Sequence, residues 1–132
     1  MKISDIERYF LEKNILHFYT GSRAFGVSQK ESDFDICIKF NKNYFSDFQD
    51  FLKLNNVVKE ESNYSNGYYL LMDDDSKVNI IPLEEHIFET WKLCTDTIKG
   101  ACEISEPIKT KLRNKETRCA LFEILKGFYR IV

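Results

Sequence analysis

The chain has 132 residues, and 43% of them are hydrophobic, enough for one packed domain spanning 1–132. A formal net charge of −2 excludes a uniformly basic nucleic-acid binder. No apolar run approaches the ~20 residues of a membrane helix, so no membrane partner is expected.

In chain order, Ile3 to Lys13 has apolar residues at helical spacing, with Ser4 or Asp5 as its cap. The same opening segment lacks the apolar run of a signal peptide, which points to the cytoplasm. Ile15 to Tyr19 reads as a strand ended by Gly21, and Ser22 to Gly26 has room for one helical turn. Asp33 to Phe40 is the clearest strand. Phe34, Ile36, Ile38 and Phe40 alternate with Asp33, Asp35, Cys37 and Lys39. A second amphipathic helix is expected over Ser46–Leu54 and a short strand over Val57–Glu60. Tyr68–Met72 and Lys77–Ile81 read as strands joined by a hairpin turn over Asp73–Ser76, with Pro82 ending the second. From about Leu83 the chain is helical to Lys99, before Gly100, and again from Pro107 to Arg130. This order gives an α+β fold, a mixed sheet with helices packed mainly on one face.

Cys37, Cys94, Cys102 and Cys119 are scattered, form no CxxC pair and lie apart from His17 and His86. Neither a zinc site nor a disulfide framework fits, and most of these cysteines are expected to be small buried hydrophobes. His17, on the strand before the Gly-Ser turn, reads as structural. Trp91 reads as core, and Tyr68 and Tyr69 as packing residues that can also edge a pocket.

Asp33 and Asp35, two residues apart on one strand, leave the same face, with β-carbons roughly 6–7 Å apart. Two carboxylates so close suit a hard divalent cation with oxygen ligands, Mg²⁺ or Mn²⁺. Upstream, Gly21 lets a ligand approach the backbone, and the Ser22 hydroxyl can donate to a phosphate oxygen. On these residues alone two readings stay open, a triphosphate cradle beside a metal site or a loop entering a solvated edge strand. The tail from Lys109 to Arg130 holds seven Lys/Arg and two Glu, a balance of +5. It reads either as a solvated helix face or as a wall facing an anionic substrate or RNA.

The stretch GSRAFGVSQKESDFDI resembles the signature of the DNA polymerase β-like nucleotidyltransferase superfamily, Gly-Ser followed after a spacer by Asp-x-Asp on a strand. The form GSRAxG…SDxD is similar to the minimal nucleotidyltransferases, and VNIIPLEEHIFETWKLCTD looks like a segment of phage nucleotidyltransferase-like proteins. The resemblance implies that Gly21 and Ser22 hold the β- and γ-phosphates of an NTP, and that Asp33 and Asp35 bind Mg²⁺ (or Mn²⁺). An NMP then passes to a hydroxyl on a protein, an RNA or a small molecule. Arg23 would contact phosphate or anchor the loop to a nearby carboxylate, and Ser32 would fix the strand entry by a local hydrogen bond. The chain departs from the pattern at Asn79, where the family usually has a third carboxylate. Loss of that charge removes on the order of 4 kcal/mol of attraction for a cation 4 Å away at an effective dielectric of 20. A catalytically weakened, NTP-binding regulatory or antitoxin-like module is therefore the alternative expectation. A chain this short has little room for a separate acceptor-binding domain, so the expected acceptor is small or a partner protein supplies the remaining surface.

Overall fold

The computed structural model describes residues 1–61 and 67–130. In chain order the elements are α1 (Ile3–Glu12), β1 (His17–Thr20), α2 (Gly21–Phe25), β2 (Phe34–Lys39) and α3 (Lys42–Leu54). There follow β3 (Val58–Glu61), β4 (Tyr68–Leu71), β5 (Lys77–Leu83), α4 (Glu85–Ile104), α5 (Glu106–Lys111) and α6 (Lys115–Arg130). The strands form one sheet in the order β1-β2-β5-β4-β3. Only the central β2–β5 pair is parallel; the other pairs are antiparallel. This is the mixed-sheet α+β fold that the chain order implies. No helix among the described residues is long and apolar enough to cross a membrane.

Helices cover both faces of the sheet, where the sequence pattern pointed mainly to one. Ile36, Ile38, Val78 and Ile80 face α1 and α3 and bury Ile6, Phe10 and Phe48 completely. On the opposite face Cys37, Ile81 and Leu83 pack with Phe88 of α4. The physical reason lies in β5, whose residues from Val78 to Leu83 are all buried, a pattern that requires cover on both sides. Each fully buried Phe or Ile side chain contributes about 1.5–3 kcal/mol. Cys37, Cys94 and Cys102 are buried in these layers as expected, whereas Cys119 is exposed.

Several element ends differ from the sequence pattern, each for a local reason. Asp5 does not cap α1; from the first turn its carboxylate accepts the Lys2 backbone N–H at 2.8 Å. α3 begins four residues before the expected Ser46, because the Asn41 side chain caps it by accepting the Asn43 N–H at 2.8 Å. Pro82 lies inside β5 rather than ending it. The pairing with β4 ends at Ile80, so on that side of Pro82 there is no ladder partner to miss its N–H. α4 runs through Gly100 to Ile104, held on either side of the glycine by Ile98 and Cys102, which are buried in one cluster. The expected final helix is two helices. They are separated at 112–114, where buried Leu112 anchors the turn against Phe25, Ile98 and Cys102.

One polar contact fixes the sheet's position against α4. Thr20, at the end of β1, shares a 2.8 Å hydrogen bond with Thr95 of α4, and both residues are buried. Thr20→Val leaves the Thr95 hydroxyl unpaired and is expected to cost about 1–3 kcal/mol in urea denaturation. The Thr20→Val/Thr95→Val double variant should be no less stable than either single variant, because no buried hydroxyl remains unpaired.

Candidate functional site

Strand register assembles the site. Thr20 of β1 pairs with Asp35 of β2, Asp35 with Asn79 of β5, and Asn79 with Tyr69 of β4. Four strands thus place one polar row across the face that carries α4. One step further along the strands, that face becomes the apolar cluster of Phe18, Cys37 and Ile81. Above the row lies a cleft of about 490 Å³. Asp33, just before β2, also lines it, so the two carboxylates leave the same face as strand periodicity predicts.

Asp35 sits hard against the Gly21 backbone. A β-carbon at Gly21 would stand 2.3 Å from Asp35 Oδ2, and Gly21 has φ +77°, in the region L side chains rarely adopt. Glycine is therefore required twice at this position, by the backbone turn and by the neighbouring carboxylate. From β1 the chain passes through Gly21 straight into α2, which Gly26 closes at φ 75°. Ser22 also lines the cleft.

Asn79 is buried, and its Nδ2 donates to Asp35 Oδ1 at 3.2 Å. The other amide atom, Oδ1, is buried without a hydrogen-bond partner among the described residues. A buried carbonyl oxygen without a donor is costly, and a ligand or cation in the cleft would relieve that cost. Two carboxylates and an amide oxygen are hard oxygen donors, so the residues present suit Mg²⁺ or Mn²⁺ chemically. Among the described residues no group of three or more His, Cys, Asp or Glu stands together. Asn79 stands beside Asp35 on the adjacent strand and lines the cleft together with Asp33 and Glu31.

Burial pushes the Asp35 carboxyl up to about 6, and the Asp33 charge adds to this. The hydrogen bond from Asn79 and the charges of Lys115 and Arg118 act in the opposite direction. Both cations belong to α6, which closes the cleft opposite the sheet. Trp91 and Phe122 meet edge to face at 5.1 Å and supply an aromatic wall, with Lys126 Nζ 5.4 Å above the Trp91 ring.

The expected site residues separate into two groups. Gly21, Ser22, Ser32, Asp33, Asp35 and Asn79 all line the cleft. Arg23 does not; its guanidinium donates to the carbonyl oxygens of Lys30 and Ser32 and lies 4.5 Å from the Phe34 ring. It anchors the loop that delivers Asp33, through carbonyls rather than the carboxylate expected. Ser32 adds the local bond expected of it, accepting the Gln29 N–H at 2.8 Å. His17 stays structural, its Nδ1 2.9 Å from Ile15 O and its ring against Phe10. Phe122 reads from the sequence as a core residue of the last helix, whereas Lys115 and Arg118 do not stand out there. Their one signal is the +5 balance of the tail, which left two readings open.

No protein-family model, curated protein or solved structure matches the chain.

The raised Asp35 pKa has a definite sign for stability. The folded chain holds this proton more tightly than the unfolded chain, whose Asp has the usual 3.8. The contribution is complete below pH 3.8 and is lost as pH rises through about 6. Asp35→Asn keeps a neutral group at this position and should melt several degrees above the wild type at pH 8. The gap should close between pH 6 and pH 4 in calorimetric scans. A constant gap across that range would contradict the assignment.

Proposed function

We propose that the chain binds a nucleoside triphosphate in this cleft and transfers the nucleoside monophosphate to a hydroxyl acceptor. The observation that carries this reading is the cross-strand row. Register brings Asp35 beside Asn79, Asp33 lies on the same face, and the bare Gly21 backbone closes against Asp35. The GS…DxD resemblance points the same way. A cleft of about 490 Å³ is of the size that holds one small ligand.

In this reading Asp33 and Asp35 hold Mg²⁺, with the unpartnered Asn79 Oδ1 as a neutral third oxygen. Such a cation, when bound, neutralises triphosphate charge and stabilises the leaving pyrophosphate. Gly21 and Ser22 position the phosphates, and the Trp91–Phe122 wall offers an apolar surface to the base. The acceptor oxygen forms the new bond to the α-phosphorus while the bond from that phosphorus to the α,β-bridging oxygen breaks. The acceptor proton leaves to a carboxylate or to solvent, because the Asn79 amide cannot take it. The acceptor is a small molecule, an RNA or a protein; a partner protein would extend the surface for a large one.

A second reading is favoured by the same asparagine. With an amide where the family usually has a carboxylate, the chain becomes an NTP-binding regulatory module with weakened chemistry. Calorimetric titration with ATP, GTP, CTP and UTP, with and without Mg²⁺, tests what the two readings share. Binding of at least one nucleotide should tighten with Mg²⁺, and the Asp33→Ala/Asp35→Ala variant should lose that gain. Failure of the folded protein to bind any nucleotide would overturn both readings. Asn79→Asp should then raise Mg²⁺-dependent transfer by roughly 10²-fold if the position lacks only its carboxylate. An unchanged rate would favour the regulatory module.

A further inference from the structure

Among the cations of α6, Lys126 is engaged within its own helix, bonded to Glu123 at 2.9 Å. Lys115 and Arg118 stand differently. Three residues apart on α6, they share one helix face, and both line the cleft that holds Asp33 and Asp35. Lys115 makes no ion pair with any described residue. Arg118 is fixed from behind, its Nη1 donating to the Leu112 and Arg113 carbonyl oxygens at 3.0 Å each. Those carbonyls belong to the turn that divides α5 from α6. The break in the tail therefore aims a guanidinium. An arginine held this way loses little further freedom on gripping a ligand, and its planar fork matches phosphate oxygens.

We propose that Lys115 and Arg118 form an anion clamp that binds the polyphosphate of a small molecule without needing a divalent cation. The inference takes its ligand class from the nucleotide reading but needs none of its chemistry. Its charge logic comes from position 79. A carboxylate there would have added a negative charge to the cleft floor, and an amide adds none. Apart from the Glu123–Lys126 pair, the lining sets Lys115 and Arg118 against Glu31, Asp33 and Asp35, one carboxylate fewer than an acid at position 79 would give. At about 490 Å³ the cleft between α6 and the sheet is of a size for a compact polyphosphate rather than a long phosphodiester strand.

Trp91 is the chain's one tryptophan and lines the cleft, so its fluorescence reports occupancy. Inorganic tripolyphosphate is titrated in EDTA, with calorimetry as the second readout. Wild type is expected to bind. Lys115→Gln, at an exposed position outside the core, should weaken binding at least tenfold. Arg118→Lys, which keeps the charge but not the fork, should weaken it several-fold. Lys99→Gln, on exposed α4 surface away from the cleft, should bind as wild type. Asp33→Ala/Asp35→Ala should bind as tightly as wild type or more tightly. That last result separates this proposal from the nucleotide reading, in which the same variant loses Mg²⁺-dependent affinity. The clamp is overturned if Lys115→Gln binds normally, if Lys99→Gln weakens binding equally, or if the double aspartate variant loses metal-free binding. A short oligouridylate that binds more tightly than tripolyphosphate, with the same dependence on Lys115, would overturn the commitment to a small-molecule ligand.

Discussion

A carboxylate pressed into the protein organises this structure. Asp35 meets the bare backbone of Gly21 on one side and the amide of Asn79 on the other. Charge in such a place is unfavourable unless something opposes it, and here burial drives the carboxyl up to about 6. Hydrophobic packing alone would favour an apolar residue at this position, as it does two residues on at Cys37. The surrounding elements accommodate the carboxylate through a glycine at positive φ, an amide on the adjacent strand and cations on a distant helix.

The sheet explains how the arrangement is held. The face that carries Asp35 is apolar over Cys37, Ile81 and Leu83, where α4 packs, and polar one step along the strands. The buried Thr20–Thr95 hydrogen bond lies in the polar row and joins the sheet to α4 beside the Gly21 turn. The second face, filled by α1 and α3, holds the stacked Tyr9–Phe51 pair and the fully buried Phe10 and Phe48. On the first face, Asn79 Oδ1 is buried without a hydrogen-bond partner among the described residues. Sites that retain such atoms commonly serve ligands rather than stability.

Much of this was legible in the sequence because it depends on local periodicity. Alternation along Asp33–Phe40 placed Asp33 and Asp35 on one face, and a polar residue inside the apolar run VNIIPL marked Asn79 as a site residue. Less legible was whatever depends on partners distant in sequence. Pro82 reads as a stop until the strand beside it is known to end at Ile80. Arg23 reads equally as a phosphate ligand or a loop anchor until the loop carbonyls fold back onto it. Lys115 and Arg118 reach the cleft only because a turn interrupts the tail at 112–114, and helical periodicity continues across that turn without a break. Helices on both faces were hidden because strands β1 and β2 alternate plausibly for one-sided cover, whereas β5 is buried throughout.

The central claim is that the two carboxylates form a cation-dependent nucleotide site, and diffraction at the manganese edge tests it most directly. Crystals grown with Mn²⁺ and a non-hydrolysable analogue of whichever nucleotide binds should give an anomalous peak within coordination distance of the Asp33 and Asp35 carboxylates. The analogue's phosphates should lie between that peak and Gly21. An ordered nucleotide elsewhere on the chain, or one in the cleft with no manganese peak beside the two aspartates, would contradict the account.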